Sequence, residues 1–133
     1  MPLFQYVKDD VLLGVASVLE EQLVKPGETV IQKGDLGTIM YMIVTGKLRA
    51  HDENRQIKEL GGHEVFGELA ALSPEKRIAS VTALEETLLL KIGSEALYDL
   101  MEAQIELAKG IIQVLCQRVR SIAKDLALEM DSP

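Results

Sequence analysis

Between Leu19 and Ile92 the chain is a succession of short β-type runs cut apart by glycine, and it is bounded on both sides by helical patterns. Pro26-Gly27, Gly34-Asp35-Leu36-Gly37, Gly46, Gly61-Gly62 and Gly93 mark the breaks. Between them lie Thr29–Ile31, Ile39–Val44, Lys47–Ala50, Gln56–Leu60, Ile78–Leu84 and Thr87–Ile92. Many short runs spaced by turn signals suggest a sandwich or barrel rather than a parallel α/β sheet. Packed antiparallel strands in a sandwich or barrel are expected over about 75 residues. Met40 and Met42 read as core of one such strand.

The flanks have the helical period. Val11, Leu12, Val15 and Leu19 form an apolar stripe in a helix from about Phe4 to Val18, with Asp9 or Asp10 expected as its cap. Ser94 is expected to cap a short helix through Met101, and a long helix is expected from about Gln104 to Leu128. That long helix carries two apolar stripes. Ile105, Ala108, Ile112, Leu115, Val119, Ile122 and Leu126 make a heptad seam, and Leu107, Ile111 and Val114 a second row beside it. Either both stripes pack on the strands, or the seam pairs with a second copy of the helix. Gly110 is expected to mark a bend or a close contact there.

The 133 residues suffice for one domain with a core of its own. The net charge of −7 argues against a nucleic-acid partner within the chain, since such affinity rests on neutralising phosphates. No apolar stretch is long enough to cross a membrane and no leader pattern opens the chain. The single cysteine, Cys116, precludes an internal disulfide framework, fits the cytoplasm, and reads as inert packing on an apolar helix face. His51 and His63 have no metal-ligand spacing and are expected at the surface. No nucleophile elbow or zincin motif is present, so neither an enzyme nor a metal site is expected.

One segment carries chemistry. Phe66-Gly67-Glu68-Leu69-Ala70-Ala71-Leu72 sets a glycine and an acid at the start of a short apolar helical turn, and Arg77-Ile78-Ala79-Ser80-Val81 follows. Glycine lets a ligand approach the backbone, and helix-start N–H groups attract an anion. A carboxylate accepts hydrogen bonds from a hydroxyl, and a guanidinium forks onto phosphate oxygens. The inventory fits a sugar phosphate. The competing assignment pairs Arg77 with a protein carboxylate, Glu68 itself among the candidates.

This stretch resembles the phosphate-binding cassette of the cyclic nucleotide-binding domain, the module of the catabolite activator protein and of protein kinase A regulatory subunits. Pro26-Gly27-Glu28, Lys33-Gly34-Asp35 and the Tyr41, Ile43, Gly46 spacing precede it in the family's order. The resemblance covers almost the whole chain. It implies an eight-stranded jelly roll, or double-stranded β-helix, over about 19–92, with an N-terminal helix and C-terminal helices over about 94–128.

It also implies a ligand, cAMP or cGMP, on Gly67, Glu68, Leu69, Ala70, Arg77, Ile78 and Ala79. By resemblance, Glu68 takes the ribose 2′-hydroxyl, Arg77 the cyclic phosphate, and Gly67, Leu69 and Ala70 offer backbone. Ile78 lacks the hydroxyl that accompanies cGMP preference in the family, so cAMP is expected before cGMP. Two departures stand out: Ile78 is bulkier than the common alanine, and Lys76 replaces a frequent proline. The expected role is a regulatory module of a larger protein, signalling through its C-terminal helices, with a homodimer through helix 104–128 possible. The alternative is a domain that keeps the fold without nucleotide and serves structure, interaction or dimerisation.

Overall fold

The computed structural model describes residues 2–130. A short 3-10 turn, Pro2–Phe4, leads to helix α1, Asp9–Val18. The strands follow: β1 Glu20–Val24, β2 Thr29–Ile31, β3 Leu36–Gly37, β4 Ile39–Thr45, β5 Leu48–Asp52, β6 Arg55–Leu60 and β7 Val65–Phe66. After helix α2, Glu68–Leu72, come β8 Glu75–Lys76, β9 Ser80–Ala83 and β10 Thr87–Gly93, then α3 Ser94–Ala103 and α4 Ile105–Met130.

Eight of these strands make two antiparallel sheets, ordered β1-β10-β4-β7 and β2-β9-β5-β6. They are the two faces of the expected jelly roll, and β3 with β8 forms a small additional ladder. Val24, Tyr41, Ile43 and Leu89 of the first sheet meet Ile31, Leu48, Leu60 and Val81 of the second in a common core.

Strand alternation builds a second core on the outside of the first sheet. Tyr41 and Ile43 of β4 turn inward, while Met40, with Ile92 of β10, turns outward beneath the helices. There they meet Leu3, Phe4, Val11, Val15, Leu97 and Leu107. The second helical stripe (Leu107, Ile111, Val114) belongs to this cluster and is at most 4% exposed. Gly110 marks a close contact, because a Cβ there would lie 2.7 Å from Val7 Cγ2.

Most of the heptad seam does not pack on the rest of the domain, although Leu115 touches the outer core. Ile105, Ile112, Val119, Ile122 and Leu126 are 54% to 65% exposed, and from Val119 to Leu128 every side chain is exposed. Full packing of both stripes on the jelly roll is thereby ruled out.

Several local expectations need correction. Lys8 takes the N-cap position of α1, and Asp9 and Asp10 are its first helical residues, where the helix dipole favours acids. Gly93 stands at the N-cap of α3, with Ser94 inside the helix and no side-chain cap bond. Cys116 is exposed rather than packed. His51 is half-buried, with Nδ1 2.6 Å from the Glu53 carbonyl and Nε2 2.8 Å from Thr82 Oγ1.

Candidate functional site

The turn from β7 into α2 depends on Gly67. Its φ is +76°, and a Cβ there would sit 2.8 Å from both the Ile39 carbonyl oxygen and Arg77 Nη1. Only glycine fits that backbone with those neighbours. The N–H groups of Glu68, Leu69 and Ala70 then open α2, where helix geometry provides no acceptor four residues back. At its other end, the Tyr98 hydroxyl of α3 donates to the Leu72 carbonyl and ties α2 to the C-terminal helices.

Arg77 is brought to the same place by the turn that precedes β3. Its N–H donates to the Asp35 carbonyl at 2.8 Å, and Gly34 N–H donates back to its own carbonyl at 2.9 Å. Lys76, in the place of the frequent proline, pairs with Leu36 in the β3–β8 ladder. The Arg77 side chain crosses Gly37, where no Cβ has room, and Nη2 donates to the Ile39 carbonyl at 2.6 Å. Among the described residues no carboxylate pairs with it. Tyr41 lies nearby, its ring stacked on Phe66 at 5.0 Å between centroids. Burial pushes the Tyr41 phenol up from its ordinary value, and the positive charge of Arg77 offsets part of that rise.

Glu68 has a different partner from those weighed on sequence. Its Oε1 accepts from Arg118 Nη2 of α4 at 2.8 Å, with the Glu68 side chain only 20% exposed. Its Oε2 is buried and has no hydrogen-bond partner. A buried carboxylate oxygen left bare is costly, so a donor is needed there. The assignment of Glu68 as the counterion of Arg77 is therefore overturned. Nothing in the sequence motif points to Arg118, which lies fifty positions away on a helix read for its apolar stripes.

A cavity of about 420 Å³ collects these groups. Gly67 through Ala70 and Arg77 through Ala79 all line it, so the seven residues singled out from the sequence share one space. Ile31, Ala50, Leu60, Val65, Phe66 and Val81 supply apolar walls, and Lys58, Glu75 and Lys76 the remaining polar lining. Ile78 lines the cavity and is 89% exposed, so its extra bulk is not packed against the rest of the domain. Chemically, its lining combines a cation without a counterion among the described residues, a glutamate with one unpartnered carboxylate oxygen, and apolar walls. Among the described residues no group of three or more His, Cys, Asp or Glu side chains is placed to hold a metal.

Comparison with known proteins adds an independent line. The sequence model described as Cyclic nucleotide-binding domain matches residues 21–104. The chain is 35% identical to the cGMP-dependent protein kinase of Toxoplasma gondii over 83 residues, which is 62% of this chain and 8% of the kinase. It is 29% identical to the Cyclic AMP receptor protein of Thermus thermophilus over 134 aligned positions, 97% of this chain and 61% of that protein. It thus spans only part of the length of these relatives. Among solved structures, the N-terminal domain of a transcriptional regulator from Streptomyces coelicolor superposes with a TM-score of 0.87 at 27% identity. That superposition covers 92% of this chain and 91% of the other.

Proposed function

This chain belongs to the cyclic nucleotide-binding domain family, and from that premise we propose that it is a regulatory module for a cyclic nucleoside monophosphate. One observation carries the proposal: Arg77, whose guanidinium has no counterion among the described residues, and Glu68, whose buried Oε2 has no hydrogen-bond partner, line the same cavity. The cyclic phosphate takes the Arg77 fork and the first-turn N–H groups of α2. The ribose 2′-hydroxyl donates to Glu68 Oε2 while Arg118 holds Oε1. The base lies on the apolar wall, and Ile78, without a hydroxyl for guanine's amino group, favours cAMP over cGMP.

The whole chain acts as one binding domain without catalytic activity, in the cytoplasm, as part of a larger regulated protein. Among the described residues no helix is long and apolar enough to cross a membrane. The output passes through α3 and α4, because Tyr98 and Arg118 fasten those helices to α2. A ligand shifts such helices only by binding one arrangement more tightly than another. The heptad seam of α4 then offers itself to a second copy of this chain.

Thermal melting with cAMP, with cGMP and with buffer alone tests the module. Ligand at a hundred times its dissociation constant adds about 2.7 kcal/mol, so the midpoint should rise by several degrees. A flat response to both at millimolar ligand rejects nucleotide binding. It would favour the alternative, a family fold kept as a structural or dimerisation element. The hydrogen bond that already holds Arg77 to the Ile39 carbonyl gives that alternative some support.

Arg118→Ala is expected to weaken cAMP binding about fivefold in a calorimetric titration. The pair it breaks is partly exposed, so it is worth about 1 kcal/mol, and Glu68 loses its orientation. Unchanged affinity in a folded variant would remove Arg118 from the site.

A further inference from the structure

The helices cover the outer face of the first sheet only in part. Ile92 of β10 and Met40 of β4 lie in register there, buried in the outer core. Along the same strands and on the same face come Leu90 and Met42, again in register, and then Leu88 with Leu23 of β1 opposite it. The alternate residues Leu89 and Val24 point the other way, into the inner core. Leu23, Leu88, Leu90 and Met42 belong to neither core cluster. Leu23 is 58% exposed, and the other three are only partly buried.

A contiguous apolar patch on a polar surface marks a place where another protein binds. This one spans the neighbouring strands β1, β10 and β4. Two inter-strand steps make it about 10 Å wide, which is the diameter of one α-helix with its side chains. Helices already cover the adjoining part of the face, so one more would extend an existing layer. The charges choose its sign. Segments 20–25 and 85–90, which carry three of the four side chains, hold four glutamates and one lysine, Lys25. Glu21 shares the face, in register with Leu90, and among the described residues it is in no ion pair. Glu20 stands opposite Lys91 on the other face. A second copy of the chain is a poor occupant. A stable interface takes about 20–30 residues from each side, and self-pairing would bring together two acidic rims on chains of net charge −7.

The geometry points to a docking surface for a basic amphipathic helix of a partner protein. Apolar residues of that helix at i, i+3, i+4 and i+7 cover Leu23, Leu88, Leu90 and Met42. Lysines or arginines beside them meet Glu21 and the glutamates that lead into β10. The patch shares no residue with the lining of the nucleotide cavity, so the inference stands whether or not a nucleotide binds.

Two synthetic helical peptides with leucines in that spacing, one flanked by lysines and one by glutamates, test this in calorimetric titrations. The lysine peptide should bind the native chain with a micromolar dissociation constant, and the glutamate peptide at least about tenfold more weakly. The double variant Leu23→Lys, Leu90→Lys loses two apolar contacts and gains two repelling charges, so it should weaken the lysine peptide by about tenfold or more. Substituting the α4 seam, Ile112→Glu with Val119→Glu, should leave that affinity unchanged. Methyl NMR on the native chain needs no variant to fold, and the Leu23, Leu88, Leu90 and Met42 signals should move as the lysine peptide is added. No binding, equal binding of the two peptides, or shifts confined to the α4 seam overturn the inference. Self-association of the native chain that the two lysine substitutions abolish overturns it as well, because a second copy then occupies the face.

Discussion

Replacing Arg77 with alanine should lower affinity for cAMP and cGMP alike by about a hundredfold or more, and leave the fold standing. Hydrogen bonds to a charged group contribute about 1.5–3 kcal/mol each, and a bidentate guanidinium–phosphate contact has two. At about 1.4 kcal/mol per factor of ten, losing both removes two or more orders of magnitude. Stability should change far less. Within the protein the side chain makes one hydrogen bond, to the Ile39 carbonyl, worth about 1 kcal/mol net. Arg77→Lys keeps the charge without the planar fork and should recover only part of the affinity. Calorimetry on variants with native-like melting curves measures this. Affinity within twofold of the native value in a folded Arg77→Ala protein would mean that the phosphate sits elsewhere.

The residues behind that prediction were readable in the sequence because the chemistry is local. Gly67, Glu68 and Arg77 lie within eleven consecutive positions, and the turn that joins them needs a glycine wherever it occurs. Arg118 was not readable. It reaches Glu68 only because Leu107, Ile111 and Val114 lay α4 against the outer core, and that docking angle is a property of the assembled helices.

Strands were missed where burial is slight. β1 reads Glu-Glu-Gln-Leu-Val and is an edge strand with Val24 alone buried, so no alternation marks it. β3, β7 and β8 are two residues each, too short to show a period at all. The two stripes of α4 looked equivalent in sequence and are not. The three-residue row meets Leu3, Phe4 and Leu97, whereas the longer seam runs on past the end of the barrel.

That seam supports the second large effect: the double substitution Ile112→Glu, Val119→Glu should raise the dissociation constant of a homodimer by more than a hundredfold. Five large side chains of the seam are more than half exposed, and a helix that projects with such a stripe is marginal in water. Burying one such side chain fully is worth about 1.5–3 kcal/mol, and a symmetric pair of helices counts each twice. Association costs several kcal/mol in lost freedom, which five pairs can offset and three pairs with four buried carboxylates cannot. The monomer should keep its melting temperature, because neither Ile112 nor Val119 belongs to either core cluster. Sedimentation equilibrium distinguishes the outcomes. A native chain that sediments as a monomer at high micromolar concentration, with and without cAMP, rejects the seam as a self-pairing surface. A dimer that survives both glutamates would place the contact on another face of the molecule.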